Sequence, residues 1–98
     1  MEFEWDDGKR SSNYAKHGVW FDDAMYVFEG PTVEKIDDRD DYGEPRFVSF
    51  GIVDGRVLAV IYTWRGNMCR IISARKANKR EQRAYYATLS QFAPESND

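Results

Sequence analysis

The chain has 98 residues, with 14 Lys and Arg against 17 Asp and Glu and a formal charge of −3, which is length for one domain around one core and too little for two. Hydrophobic residues at 42% and aromatics at 15% exclude a disordered chain despite its high charge. The single cysteine, Cys69, excludes an internal disulfide and fits a reducing compartment. No apolar run of about 18 residues could span a membrane, and the acidic start MEFEWDDGKR is the opposite of a signal peptide. The expectation is therefore a soluble cytoplasmic protein, with one domain over 1–93 and a short, polar, disordered tail over 94–98.

In chain order, Phe3 to Trp5 is a short alternating apolar piece, followed by Asp6, a good N-cap, and Asp7 in a first turn that favours carboxylates. A helix is predicted over 7–17, with Lys16 and His17 near its negative end and Gly18 as its left-handed stop. A second helix starts near Phe21, carries Phe21, Ala24, Met25 and Phe28 on one face, and stops at Gly30 and Pro31. Strands are predicted over 46–53, 57–64 and 68–74, with a weaker one over 32–36. Asp54-Gly55 reads as a two-residue hairpin turn, and Arg65 to Asn67 joins the next pair, giving an antiparallel meander. The run VLAVIYTW is apolar at nearly every position and belongs in the middle of the sheet with both faces covered. Part of that cover falls to a C-terminal helix, capped by Asn78 with Glu81 three residues on, whose Tyr85, Leu89 and Phe92 should pack inward. A homodimer or a bound partner is expected to cover the remainder.

The functional signal lies in RIISARKANKREQRAYY at 70–86. Residues 65–83 gather seven lysines and arginines against a single acid, Glu81, inside an acidic protein, a polarisation that fits a polyanion or an acidic partner. A solvated helix face is the plainer account. One His and one distant Cys lack the spacing of a zinc site. The acidic loop of Asp37, Asp38, Asp40, Asp41 and Glu44 does not match the calcium-loop pattern. With no phosphate-cradling glycine motif and no credible nucleophile triad, what remains is phosphate chemistry without metal or cofactor. RNA can be cleaved by its own 2′-hydroxyl if a protein positions the strand, moves protons and stabilises the growing charge. Arg65, Arg75, Arg80 and Arg83 are candidates for that stabilisation, because a guanidinium fork matches phosphate oxygens. His17 is the first candidate for proton transfer, although a histidine before a helix-ending glycine can be no more than a cap. Glu81 competes for that role and can equally serve only to close the capping box.

KHGV at 16–19, FDDAMYVF at 21–28, DDYGEPRF at 40–47 and the 70–86 stretch together resemble the BrnT family of bacterial toxins over nearly the whole chain. The resemblance implies an α+β, RelE-like fold: two N-terminal helices and one C-terminal helix on an antiparallel sheet of about four strands. It implies an endoribonuclease that arrests translation, neutralised by a BrnA-like antitoxin whose own domain binds DNA, the toxin itself forming a homodimer within that complex. Carried onto this chain, it places His17, Arg65, Arg75 and Glu81 in one cationic cleft as the catalytic set. Lys16, Lys76, Lys79, Arg80 and Arg83 then hold the RNA backbone, a job that gives affinity with little sequence choice. Tyr62 and Tyr86 are candidates for base stacking, with core packing the competing use. A non-catalytic module whose basic face docks nucleic acid or an acidic partner is the alternative.

Overall fold

The structure is a computed structural model that describes residues 1–92; the tail expected over 94–98 lies outside the described residues. A short strand, β1 (Glu2–Glu4), leads into α1 (Asp7–His17), whose ends form as its sequence dictates. The Asp6 carboxylate accepts the Lys9 N–H at 2.9 Å, and Gly18, at φ 70°, donates its N–H to the Tyr14 carbonyl. Tyr14 and Trp20 stack with ring centroids 3.9 Å apart, and Arg10 lies over Trp20 while binding Asp22 at 2.6 Å. These contacts fix the turn into the second helix.

That helix is half of what the periodicity predicts. It is α-helical only over α2 (Phe21–Ala24) and then tightens into a 3-10 helix over Met25–Glu29. The inward period drops from 3.6 to 3, so Phe21, Ala24 and Val27 are the fully buried positions, while Met25 and Phe28 are only partly buried. The tight turn packs against a glycine: a β-carbon at Gly51 would stand 2.7 Å from Val27 Cγ1 and 3.0 Å from the Val27 carbonyl oxygen.

The remaining strands are β2 (Val33–Ile36), β3 (Phe47–Val53), β4 (Arg56–Arg65) and β5 (Met68–Lys76), followed by α3 (Lys79–Phe92). Their order in the sheet is β1-β5-β4-β3-β2, with the apolar β4 in the middle. The β2–β3, β3–β4 and β4–β5 pairs are antiparallel. The β3–β4 hairpin turns through Asp54 and Gly55, both at positive φ (52° and 77°), as a two-residue turn of this hand requires. The expectation of about four antiparallel strands is corrected in one respect: β1 adds a fifth strand, parallel to β5, and makes the sheet mixed. Three residues are too short a run to announce a strand by alternation.

Both faces of β4 are covered. On one side α2 and its 3-10 extension bury Leu58, Val60 and Tyr62; on the other α3 closes over Phe50, Val57 and Ala59. Tyr85 anchors α3, being 1% exposed with its hydroxyl donating to the Pro31 carbonyl at 2.7 Å. Leu89 packs partly, but Phe92 is 79% exposed and does not pack inward as its spacing implies.

β1 pairs with β5 only over Met68–Arg70. Farther along that edge the buried Asn13 of α1 takes the place of a strand neighbour. Its Nδ2 donates to the carbonyls of Ala74 (2.8 Å) and Val19 (2.9 Å), and its Oδ1 accepts the Ala74 N–H at 3.1 Å. Opposite this region the register slips between Ile61 and Tyr62, which face Ser73 and Ile71, so that Ile72 bulges.

Two stability predictions follow from these contacts. Asn13→Ala strands the Ala74 N–H and two buried carbonyls and should cost about 2–3 kcal/mol in urea unfolding; a loss below about 0.5 kcal/mol would sink that role. Gly51→Ala should cost about 1–3 kcal/mol by overpacking against Val27, and a variant as stable as the wild type would show that the 3-10 turn yields.

Candidate active site

The junction between β5 and α3 is a dense polar construction. The Ala77 N–H donates to the Val57 carbonyl at 2.9 Å, which pins the chain where β5 ends. Asn78 and Glu81 then cap each other: the Glu81 N–H donates to Asn78 Oδ1 at 2.8 Å, and the Asn78 N–H donates to Glu81 Oε1 at 2.9 Å. The same Glu81 carboxylate receives a two-pronged guanidinium from Arg75, Nη1 to Oε1 at 2.7 Å and Nη2 to Oε2 at 3.0 Å. Arg75 opposes Ala59 in the register and therefore points to the α3 face of the sheet. The Arg75 hydrogen bonds hold Glu81 below the usual carboxylate range, and Glu81 in turn raises the proton affinity of Arg75.

Arg75 and Glu81 stand at the margin of a cleft of about 240 Å³ between α3, β2 and the segment that follows β2. Its floor is apolar, from Val33, Val48, Phe50 and Ile61, and Lys35 and Arg39 bring further cations to it. Arg39 is held in the same manner as Arg75. Asp37, whose side chain is only 1% exposed, accepts Arg39 Nε at 2.7 Å and Nη2 at 3.0 Å. This hydrogen bonding keeps the Asp37 carboxyl below its ordinary range despite burial, and Arg39, lining the same cleft as Arg75, adds a small like-charge repulsion to it.

The other predicted residues go elsewhere. Arg65 ends β4 opposite Met68, whereas Arg75 lies opposite Ala59, a separation along the strand of about 20 Å. Arg65 reaches Glu44 at 3.6 Å. His17 and Lys16 line a different hollow with Lys9, Asn13 and Ser73 that shares no residue with the cleft. The expectation of one cationic cleft holding His17, Arg65, Arg75 and Glu81 is thus corrected: only Arg75 and Glu81 meet there. The cause is the length of β5, which carries its two ends and its α1-side edge to separate parts of the surface.

Within the basic segment, Arg65, Arg70 and Arg75 are neutralised by Glu44, Glu4 and Glu81. Lys76, Lys79, Arg80 and Arg83 are exposed and make no ion pair among the described residues. Lys79, Gln82, Arg83 and the half-exposed Tyr86 share a shallow hollow along α3. Tyr62, by contrast, is 1% exposed, ringed by Phe28, Phe47 and Trp64, and belongs to the core. Burial pushes the Cys69 thiol up to about 12, which leaves it inert at neutral pH. Among the described residues no group of three or more His, Cys, Asp or Glu side chains is placed to hold a metal ion, and no helix is long and apolar enough to cross a membrane.

Sequence reasoning missed Lys35 and Arg39 and took Asp37 only as part of an acidic loop. Arg39 stands among acids in a segment that reads as a solvated acidic loop, and only the i, i+2 spacing of Asp37 and Arg39 hints at the pairing.

A small α+β domain with arginines clamped at a cleft, beside a helix start rich in unpaired cations, defines a protein that handles a polyanion. Residues 5–81 match the family model described as "Ribonuclease toxin, BrnT, of type II toxin-antitoxin system", and the chain belongs to that family. It is accordingly an endoribonuclease toxin, with RNA as its substrate and an antitoxin as its partner. A search of curated proteins finds no match.

The two arginine–carboxylate pairs make a pH prediction. A folded-state pKa below the unfolded value stabilises the fold fully above the unfolded value, about pH 4, and that stabilisation is lost as pH falls through the lower folded value. Urea unfolding followed from about pH 6 downward should show stability falling in the acid range. Asp37→Asn should flatten that fall, and an unchanged slope would rule Asp37 out as a contributor.

Proposed function

We propose that this toxin is a metal-independent endoribonuclease that cuts RNA by attack of the 2′-hydroxyl on the adjacent phosphate: the O2′–P bond forms, the P–O5′ bond breaks, the 2′-hydroxyl gives up a proton and the leaving 5′-oxygen gains one, yielding a 2′,3′-cyclic phosphate and a 5′-hydroxyl. The observation that supports this reading is Arg75, a permanently charged donor held in one orientation by Glu81 at the margin of an apolar-floored cleft. Charge grows on the non-bridging phosphate oxygens as the pentacoordinate phosphorane forms, and a preoriented guanidinium offsets it without reorganising. Arg75 therefore takes the catalytic role. Glu81, kept ionised by its three donors, is assigned the positioning of Arg75 rather than proton transfer at neutral pH. Lys76, Lys79, Arg80 and Arg83, unpaired and adjacent, hold the flanking backbone.

His17, Lys16 and Arg65 lie away from the cleft, and we assign them to more distant stretches of bound RNA. Family membership and the layout of helices on the sheet support a RelE-like reading of the fold. The same membership supports translational arrest in the cytoplasm and neutralisation by a BrnA-like antitoxin, with DNA reached only through that partner.

Purified protein incubated with RNA in EDTA should yield fragments ending in 2′,3′-cyclic phosphate. Arg75→Ala should lower the rate at least about a hundredfold, whereas His17→Ala and Arg65→Ala should each lower it less than about tenfold. Loss of cutting in EDTA that returns with magnesium would overturn metal independence. A His17→Ala defect as deep as that of Arg75→Ala would move the chemistry to the α1 hollow.

A further inference from the structure

We propose that Arg39 is the second arm of a phosphate clamp, contacting the scissile phosphodiester from the opposite side to Arg75, with the buried Asp37 as its positioning residue. This rests on the nuclease reading and adds to it a contact from a segment the basic stretch does not contain.

Three observations carry the inference. First, Arg39 and Arg75 line the same cleft, come from elements far apart in sequence, and bring like charges close enough to oppose one another. Two cations converging on one cleft raise each other's energy, and an anion between them relieves it. Second, each guanidinium is gripped from behind by a carboxylate that takes two of its N–H groups, at 2.7 and 3.0 Å in both cases. Such grips fix orientation and leave donors over: of the five N–H groups of Arg39, Asp37 takes two and Tyr42 engages one, so two remain for another acceptor. Third, Asp37 is built into the fold: its side chain is 1% exposed, and its N–H donates to the Arg46 carbonyl at 2.8 Å, extending the β2–β3 ladder by one rung. A buried carboxylate whose side chain serves an exposed arginine is a costly way to make a surface ion pair and an effective way to aim a donor. A tetrahedral phosphate presents oxygens in several directions at once and can engage two guanidinium groups from different sides, which a planar carboxylate does less well.

The test uses the full chain and two strands: an ordinary single-stranded RNA for cleavage and its fluorescein-labelled 2′-O-methyl counterpart, which binds but cannot be cut, for affinity by anisotropy across a salt series. Arg39→Ala should stay folded but melt lower, because it strips the buried Asp37 of its partner, and should lower kcat/KM at least about tenfold and reduce the salt slope of binding by about one. Arg39→Lys, which keeps the charge and loses the fork, should restore the slope but not the rate. Asp37→Asn should impair cleavage alone yet add nothing in the Asp37→Asn/Arg39→Ala double variant, as expected of a residue acting through Arg39. Cleavage by Arg39→Ala within about twofold of wild type, or a salt slope that does not change, would overturn the clamp, as would full additivity in the double variant. Wild-type protein that binds the methylated strand yet leaves ordinary RNA intact would overturn the nuclease reading itself, and the Arg39 contact would then stand or fall on the salt slope alone.

Discussion

One carboxylate, that of Glu81, joins the end of β5, the start of α3 and the margin of the cleft. It closes the cap of α3 through Asn78 and fixes Arg75 at the end of β5 through the paired bonds of its fork. A partly buried ion pair recovers its desolvation cost only when the remaining donors and acceptors are also satisfied, and here the backbone of Asn78 supplies the third donor. Helix start, strand end and the Arg75 guanidinium are thereby set in one stroke. The direction of α3 and the aim of Arg75 are not independent quantities in this fold.

Around that junction the charges are sorted by whether they have partners. The protein is acidic overall, and among the described residues five of its acids hold particular cations: Glu4 holds Arg70, Glu44 holds Arg65 and Arg46, Asp37 holds Arg39, Asp22 holds Arg10 and Glu81 holds Arg75. The lysines and arginines without partners among the described residues include the run at the start of α3, so the field that an approaching polyanion meets is concentrated beside the cleft. An apolar floor under charged rims is a lower-dielectric place than open water, and hydrogen bonds from fixed arginines to phosphate oxygens are worth more there.

How much of this is legible in the sequence depends on how local the cause is. α1 reads correctly from end to end because Asp6 and Gly18 act on their immediate neighbours, and the Asn78–Glu81 box announces α3 for the same reason. β4 reads correctly because burial on both faces leaves an unbroken apolar run. The 3-10 turn and the parallel β1 do not, since each is decided by what lies across space: Gly51 beneath Val27 and β5 beside β1. The site divides along the same line. Arg75 and Glu81 are near neighbours in the chain and read as one feature, but the distance between Arg65 and Arg75 is hidden until β4 and β5 are set in register, and Arg39 joins the cleft only through β2.

The amide of Asn13 has one more consequence. A sheet whose outermost strand leaves backbone N–H and C=O groups open can take up a strand from any neighbouring chain, a route to aggregation that proteins block with charges, prolines, bulges or a covering element. At Ala74, beyond the reach of the three-residue β1, both groups are already engaged by one side chain, and Ile72 nearby bulges out of register. A single polar residue on α1 thus denies that stretch of backbone to other molecules of the same protein, so the margin of the sheet next to the functional junction is kept from self-association without a further strand.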